Sequence, residues 1–225
     1  MIVLNLLFLT FVQTQILPER DLDIMFWNME NFFDYKDGGE GESDTEFSSF
    51  GSRRWTRKRF QAKCNAFAKT IFWIKDSYGS LPDVIGLAEI ENRNVLYRLL
   101  KDTALKKTDY AFIHFDGNDR RGIDVAILYR KSVMTPSSIT RRQLLTDDGD
   151  TLQTRDMLNV YMSLKSASEG HQGIHFIVNH HPSKYGGAEE SSLRRNAAME
   201  ALRGLCDSLE VADPGVPVVA MGDFN

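Results

Sequence analysis

The last ten residues, 216–225, constrain the fold of this chain more than any other stretch. Their sequence, Val-Pro-Val-Val-Ala-Met-Gly-Asp-Phe-Asn, is an apolar run that ends in glycine and is followed by polar side chains. Because side chains alternate along an extended chain, Asp223 and Asn225 point to one side and Phe224 to the other. A buried strand that delivers a carboxylate and an amide to one spot predicts a polar site at the edge of a sheet.

Apolar strands alternate with helices along the rest of the chain. Apolar residues recur every three or four positions from 54 to 78 and again from 189 to 209, which predicts two long amphipathic helices. In the first helix, the following residues are predicted to face the core: Phe60, Cys64, Phe67, Ile71, Ile74 and Tyr78. Strands are predicted at 23–28, 83–90, 110–115, 123–129, 156–164, 173–182 and 216–225. We expect an α/β sandwich whose helices lie outside its sheets, with strands 123–129 and 156–164 in one antiparallel meander.

Five polar residues fall at the carboxyl ends of predicted strands. In open α/β sheets, ligands gather beyond these ends, so convergence of the five side chains predicts a site. A carboxylate such as Glu89 is costly at the end of a buried strand unless it is paired or binds a cation. Asn28 is either a site residue or a strand-ending turn residue. The five residues are Asn28, Glu89, His180, Asp223 and Asn225.

Other polar residues are interpreted as support or as surface. Asp124 lies within an apolar strand and Arg155 precedes another, so an ion pair is expected for both; alternatively, Arg155 presents its planar fork to a phosphate. Glu91 is interpreted as an acid at the start of a short helix, where acids are common. Residues 37–52 are predicted to form a mobile surface loop. Three histidines are predicted to be structural or exposed: His114, His171 and His175.

The formal net charge is −4, so no positive field of the whole molecule draws it to nucleic acid. Basic residues are nevertheless clustered, as at Arg120 and Arg121, and each cluster is either a solvated face or a phosphate site. The two cysteines, Cys64 and Cys206, have no metal-type spacing. They are interpreted as isolated thiols, or as a disulfide if the protein is exported.

Residues 1–15 carry no charge and contain an apolar run. The run has about the length of a signal-peptide core and is too short to span a bilayer. We expect a signal peptide and hence export to the periplasm or beyond; the alternative is a buried first strand in a cytoplasmic protein. No other stretch has the composition of a membrane span, so no integral membrane segment is expected.

Carboxylates and amides without cysteine form a hard oxygen site, which suits Mg²⁺, Mn²⁺ or Ca²⁺. Such a cation, with a nearby histidine and arginine, fits hydrolysis of a phosphate ester. The sequence has neither a Walker-type phosphate loop nor a Gly-x-Ser-x-Gly nucleophile elbow.

Six sequence pieces, in order, resemble those of the endonuclease/exonuclease/phosphatase superfamily. They are Phe-Trp-Asn-Met-Glu-Asn-Phe-Phe (26–33), Gly-Leu-Ala-Glu-Ile-Glu-Asn (86–92), Arg-Gly-Ile-Asp-Val-Ala-Ile-Leu-Tyr (121–129), Thr-Arg-Asp-Met-Leu (154–158), Asn-His-His-Pro-Ser-Lys (179–184) and Met-Gly-Asp-Phe-Asn (221–225). The resemblance covers residues 22–225. It implies a four-layered α/β sandwich, two sheets flanked by helices, and divalent-metal-dependent hydrolysis of a phosphodiester or phosphomonoester.

The resemblance also implies roles for individual residues. Glu89 would be the principal metal ligand, with Asn28 assisting in the metal shell. His180 would hydrogen-bond the scissile phosphate, Asp223 would orient the nucleophilic water or assist the leaving group, and Asn225 would bind a phosphate oxygen. The positions that shape the phosphate pocket and its wall are Arg155, Asp124 and His181.

One departure from the family pattern affects the expected activity. The family's final segment, with a metal-site aspartate and an Asp-His pair, should follow Asn225. The chain is therefore expected to be a partial version of a longer enzyme that lacks the last strands of the fold, and this form is expected to be weakly active or inactive. The leading hypothesis is a nuclease-like phosphodiesterase acting on nucleic acid. The alternatives are a phosphatase or phospholipase acting on a small or lipid phosphate ester, and a non-catalytic phosphate-binding scaffold. Oligomeric state does not follow from the sequence.

Overall fold

Two four-stranded sheets form the centre of this computed structural model, which describes residues 21–39, 41–145, 149, 151–165, 173–183 and 188–225. The first sheet has the strand order β1-β2-β4-β3 and the second has the order β5-β6-β7-β8. The first sheet consists of β1 (Ile24–Phe32), β2 (Val84–Ile90), β3 (Tyr110–His114) and β4 (Asp124–Arg130). The second consists of β5 (Met134–Arg142), β6 (Met157–Leu164), β7 (Gly173–His180) and β8 (Val218–Asp223).

Each sheet contains one parallel pair of strands. β1 pairs with β2, with Asn28 opposite Ala88, and β7 pairs with β8, with His180 opposite Asp223. The other neighbours in both sheets are antiparallel. Strands β1 and β2 pack on β7 and β8 across the space between the sheets. The carboxyl ends of all four strands therefore meet at one edge of the sandwich.

Helices cover both outer faces of the sandwich. α1 (Arg57–Tyr78) and α2 (Arg93–Lys101) pack on the first sheet around buried residues such as Phe60 and Leu99, and α3 (Ala188–Ala212) packs on the second sheet through Ala198 and Leu202. A separate apolar layer, which includes Phe176, fills the space between the sheets. The order helix, sheet, sheet, helix confirms the predicted four-layered α/β sandwich.

A glycine lets the two sheets approach closely. A Cβ atom at Gly86 on β2 would lie 2.6 Å from Sδ of Met221 on β8 and 3.2 Å from Cγ2 of Val178 on β7. Such distances are shorter than van der Waals contact, so a larger residue would force the strands apart. This contact fixes β2 against β7 and β8 a few residues before their carboxyl ends.

The helix α1 begins later than predicted. Thr56 has an extended backbone and its side chain accepts from the backbone N–H of Arg59, so it caps a helix that starts at Arg57 rather than at residue 54. Gly79, with a φ of 89°, ends the helix as predicted. The predicted core stripe is wrong at its last member, because Tyr78 is 75% exposed.

One prediction about the strands is wrong, and one strand was not predicted. Strands 123–129 and 156–164 are not in one meander, since they correspond to β4 and β6 in different sheets. The actual meander is β5-β6-β7, and its first strand, Met134–Arg142, was not predicted. This strand has a register shift between Pro136 and Ser138 and is mostly exposed, as expected for an edge strand with proline.

The segment 37–52 is irregular, as predicted, but it is not only a surface loop. The side chains of Asp44 and Ser48 are buried, and Asp44 accepts hydrogen bonds from the backbone of Gly38 and Gly39 at 2.7 Å. The expected signal peptide, residues 1–15, lies outside the described residues, and so does His171. In the described part of the chain, no helix is long and apolar enough to cross a membrane.

Candidate active site at the strand ends

Glu89 lies at the centre of the polar group where the strand ends meet. Its backbone has a φ of 63°, and the pairing register on both sides shifts around it, between Ala88 and Ile90 on β2 and between Asn28 and Phe32 on β1. This is a β-bulge, which re-aims a side chain out of the regular alternation. The backbone N–H of Asn31, itself at a φ of 58°, donates to Glu89 Oε2 at 2.6 Å. The other oxygen, Oε1, is left facing the second sheet.

Asn28 joins the carboxylates of the two sheets. Its amide nitrogen donates to Asp223 Oδ2 at 2.9 Å and to Glu89 Oε1 at 3.4 Å, while its oxygen accepts from the backbone N–H of Glu30 at 2.8 Å. Burial acts to raise the pKa of Asp223, but the hydrogen bonds from Asn28 and the backbone of Asn225 lower it below its ordinary value. Asp223 is therefore ionised at neutral pH and held beside Glu89.

His180 completes this group from the end of β7. Its Nε2 atom lies 3.9 Å from Glu89 Oε1 and 4.0 Å from Asp223 Oδ2. Burial lowers the pKa of His180 to about 3, with the nearby Arg155 acting in the same direction and Asp223 opposing it. The ring is neutral at physiological pH, so it offers one N–H donor to a ligand.

The last residues of the described chain fold back over β7. The amide nitrogen of Asn225 donates to the carbonyl of His181 at 2.9 Å, and its backbone N–H donates to Asp223 Oδ1 at 3.1 Å. His181 is buried, and its ring meets that of Phe224 edge-on at 5.3 Å. Asn225 is thus placed beside Asp223, with a second amide N–H available to a ligand, and His181 lies in the wall next to it.

Arg155 approaches the group, but its ion-pair partner is not Asp124 as predicted. Its Nε lies 3.2 Å from Asp119 Oδ2, and both side chains are only 6% exposed. Asp124 instead accepts from the backbone N–H of Gly117 at 3.1 Å. The loop before β4 presents Asp119, rather than the first residue of β4, to the guanidinium. Sequence spacing does not encode this loop geometry.

Arg121, which the sequence marks only as a member of a basic cluster, lies beside Glu89. Its Nη2 lies 3.7 Å from Glu89 Oε1, whereas its neighbour Arg120 pairs on the surface with Glu42. The Arg120-Arg121 cluster is therefore divided between a solvated face and the site. The glycine that follows Arg121 is a sequence signal for a turn. In the structure Gly122 has a φ of 75°, and this turn directs Arg121 towards Glu89.

A cavity of about 810 Å³ is lined by the loop that carries Asp119 and by Glu91, and acids are prominent in its lining. Its wall includes Glu91, which is 8% exposed and accepts from the backbone N–H of Asp34 at 2.5 Å. A helix does begin beside Glu91, as predicted, because Asn92 caps α2, but Glu91 itself is buried just before the cap. Burial raises the pKa of Glu91 to about 8, and the adjacent Asp44 and Asp34 carboxylates contribute. The acids in the lining are Glu42, Asp44, Glu91, Asp116, Asp119 and Asp124.

The free energy of unfolding of the wild-type protein is expected to fall as pH rises, and that of Glu91→Gln is expected to fall less. The pKa of Glu91 is about 8 in the folded protein, above its ordinary value of about 4.3 in an unfolded chain. Its stabilising contribution is therefore fully present below pH ~4.3 and is lost as pH rises through about 8. The glutamine variant lacks this slope, which in wild type is at most about 1.4 kcal/mol per pH unit. Urea unfolding between pH 5.5 and 8.5 measures the difference.

The exposed Glu46→Gln serves as the control for this prediction, since Glu46 pairs with Arg53 on the surface. Its unfolding free energy is expected to follow the wild-type pH dependence. Parallel curves for wild type and Glu91→Gln over this range would contradict a buried, protonated Glu91.

The donor set at Glu89 fits a divalent cation. Glu89 Oε1 and Asp223 Oδ2 both face Asn28 and His180, and carboxylate oxygens are the ligands that Mg²⁺, Mn²⁺ and Ca²⁺ prefer. Asn28 reaches such an ion through the carboxylates that it orients, because its own oxygen is engaged by Glu30.

The layered fold, with carboxylates, amides and a neutral histidine at adjoining strand ends, is of the phosphoesterase class. The model of the Endonuclease/Exonuclease/phosphatase family matches residues 23–225, so the chain belongs to this family, as the sequence resemblance indicated. Enzymes of the family generally use divalent metal ions. No curated protein sequence matches the chain.

Solved structures support the fold. Structural similarity covers 91% of this chain in TDP2 from Caenorhabditis elegans (TM-score 0.58, 16% identity) and in the human Nocturnin catalytic domain (0.56, 13%). It also covers 91% in a mannosyl-6-phosphatase from Bacteroides thetaiotaomicron (0.58, 14%). The chain spans 47%, 64% and 66% of these three structures, respectively.

Proposed function

We propose that this chain belongs to a divalent-metal-dependent phosphodiester hydrolase of nuclease type. The observation that carries the proposal is that four side chains converge from both sheets: Glu89, Asn28, Asp223 and His180. Asn28 and His180 each contact both carboxylates, and none of these contacts is longer than 4.0 Å. Two ionisable carboxylates beside a neutral donor are suited to binding a cation and a phosphate together. Similarity to TDP2 and Nocturnin gives the fold of this class.

Each residue has a task that follows from its contacts. Glu89, oriented by Asn28 and Asn31, holds the cation, which when bound polarises a phosphoryl oxygen. Neutral His180 donates its N–H to another phosphoryl oxygen, where charge develops during the reaction. The ionised Asp223 accepts a hydrogen bond from the attacking water and orients it. To assist the leaving group instead, it would first take a proton from that water and then donate it to the leaving oxygen.

Basic residues around this group supply phosphate contacts. Arg121 lies on the open side of Glu89 and is 39% exposed, so it is accessible to a substrate. Arg155 is held by Asp119 and adds positive charge behind His180. Asn225 contributes an amide N–H from the end of β8. These three side chains bind and orient the phosphate group, while Asp124 and His181 support the pocket.

The acidic cavity favours a second candidate, a phosphatase acting on a small ester. Negative potential repels a polyanion such as a nucleic-acid strand, whereas a neutral, polyhydroxylated leaving group meets many hydrogen-bond acceptors there. The structural neighbour named as a mannosyl-6-phosphatase provides a precedent for such a substrate within the same fold. A phospholipase acting on a lipid phosphate ester is a further alternative within the same chemistry.

The full-length protein that contains this sequence is expected to hydrolyse phosphodiesters when Mg²⁺ or Mn²⁺ is present. Supercoiled plasmid, bis-p-nitrophenyl phosphate, p-nitrophenyl phosphate, mannose 6-phosphate and sphingomyelin vesicles are assayed with Mg²⁺, Mn²⁺ or EDTA. Nicking of the plasmid that EDTA abolishes supports the nuclease-type proposal. Turnover of the monoesters alone would support the phosphatase, and turnover of the vesicles alone the phospholipase.

A non-catalytic scaffold gives a different result in the same experiment. It binds inorganic phosphate, measured by calorimetry, but forms no product with any of the five substrates. That outcome would overturn the catalytic proposal for this chain. Export, which the sequence of residues 1–15 predicts, remains a separate proposal and is tested by the location and the N-terminus of the mature protein in its native cell.

A further inference from the structure

We infer that His114, Asp116 and Asp124 form a second divalent-cation site, separate from the Glu89 group. One ligand atom from each of the three residues lies within 4.8 Å of the other two. His114 ends β3 and Asp124 begins β4, which pair antiparallel, and Asp116 lies in the loop that joins them. Sequence reasoning had assigned His114 only a structural or exposed role.

Among the described residues, one nitrogen of the buried His114 ring lacks a hydrogen bond, although the ring does hydrogen-bond the backbone of Ile90. The residue is 5% exposed, and in the described part of the chain its Nε2 atom has no hydrogen-bond partner. Leaving a buried polar atom unpaired costs about 1–3 kcal/mol. Nε2 lies 4.0 Å from Asp124 Oδ2, and Nδ1 lies 3.9 Å from Asp116 Oδ1. These distances are too long for direct hydrogen bonds.

The 4.0 Å between Nε2 and Asp124 Oδ2 suits two ligands of one metal ion. The distance from Nδ1 does not enter, because one ion binds only one nitrogen of an imidazole; the ligand atom of Asp116 lies within 4.8 Å of the other two. Bonds from Zn²⁺ to histidine nitrogen and carboxylate oxygen are about 2.0–2.2 Å, so two ligands of one ion lie roughly 3.3–4.2 Å apart. Asp116 is in a loop and its side chain is 80% exposed, so it can close on an ion held by the two buried residues. One nitrogen and two carboxylate ligands suit Zn²⁺ or Mn²⁺ better than Mg²⁺ or Ca²⁺.

Ionisation of Asp124 is unfavourable without a cation, because burial and the nearby Asp119, Asp116 and Asp156 carboxylates raise its pKa to about 7. Among the described residues, no lysine or arginine nitrogen lies within 4.0 Å of the Asp116 or Asp124 carboxylate. Burial keeps the imidazole of His114 neutral, since it lowers its pKa to about 4, so the ring is a ligand and not a counter-ion. A divalent cation would neutralise the two carboxylates.

This cation would brace the loop that serves the active site. Gly117 donates its backbone N–H to Asp124 Oδ2, and a Cβ at Gly117 would lie 2.5 Å from Asp124 Oδ1, so the loop backbone lies against the site. The same loop then carries Asp119 to Arg155 and Arg121 to Glu89. A structural cation at this loop would therefore help to hold Arg155 and Arg121 in place beside the proposed hydrolytic centre.

Zn²⁺ binding to the purified chain tests the inference directly. In two-bond ¹H–¹⁵N spectra of the histidine rings, Zn²⁺ is expected to shift the nitrogen resonances of His114, assigned by their absence in His114→Gln. The shift should persist in Glu89→Gln, which removes the principal ligand of the other site. Calorimetry should show that Asp116→Asn weakens this Zn²⁺ site by about 10–100-fold.

Asp207→Asn is the matched control, because Asp207 is an exposed aspartate on α3. It should bind Zn²⁺ with wild-type affinity. Asp116 is likewise exposed, so Asp116→Asn tests the site even if His114→Gln fails to fold. Unchanged His114 resonances at saturating Zn²⁺ would overturn the inference. So would loss of the shift in Glu89→Gln, or equal affinities in Asp116→Asn and Asp207→Asn.

Discussion

Glu89→Gln is expected to reduce phosphoester hydrolysis by about 10³-fold or more, because it removes the charged ligand at the centre of the site. Glutamine has nearly the same shape and still accepts from the backbone N–H of Asn31, so the bulge is retained. The loss should appear in kcat/KM for the substrate that wild type turns over best. Mg²⁺ or Mn²⁺ affinity, measured by calorimetry, should fall with it.

Glu46→Gln provides the matched control for this variant, since Glu46 pairs with Arg53 at the surface. It is expected to keep wild-type activity and metal affinity. If Glu89→Gln retained more than about a tenth of wild-type activity at saturating metal, a metal role for Glu89 would be excluded, because loss of an essential charged ligand removes far more.

His180→Ala is expected to lower kcat by about 10²–10³-fold with a much smaller change in KM, as when one donor to a developing oxyanion is removed. The pKa of His180 is lowered to about 3 by burial, so the ring is neutral in the working pH range. Wild-type activity should therefore show no titration of this residue between pH 5 and 9. The pH profile and the separate effects on kcat and KM distinguish a phosphate donor from a general acid.

His175→Gln is the control on the same strand. His175 is also buried, but it lies at the other end of β7 and its Nε2 is 3.1 Å from Asp213. It should leave kcat unchanged, whatever it does to stability. Equal losses in the two variants, after correction for the folded fraction, would show that His180 acts only through packing.

Much of the fold followed from apolar periodicity, and the errors have local physical reasons. Strands buried between helices and sheets, such as β2 and β7, are apolar runs that the sequence displays directly. The strand β5 is different, because an edge strand needs no apolar face and tolerates Pro136 at a bulge. The partners of β4 and β6 could not be assigned, since periodicity does not record which sheet a strand joins.

The site was predictable only where regular strands set its geometry. Asn28, Glu89, His180 and Asp223 come together because parallel strands end at one edge. The contribution of Arg121 depends on how a loop turns, and so does the pairing of Arg155 with Asp119. Burial of Glu91 and His114 depends on the packing of segments distant in sequence. The local sequence pattern records neither how a loop turns nor how distant segments pack together.

The bulge that aims Glu89 into the site has a consequence for engineering. A left-handed backbone costs a residue with a side chain on the order of 1–3 kcal/mol, and β1 and β2 together hold Glu30, Asn31 and Glu89 in that region. Glycine adopts it without this penalty. A laboratory selection for thermal stability alone is therefore expected to favour glycine at position 89, and the selected variants would lose the carboxylate on which the proposed function depends.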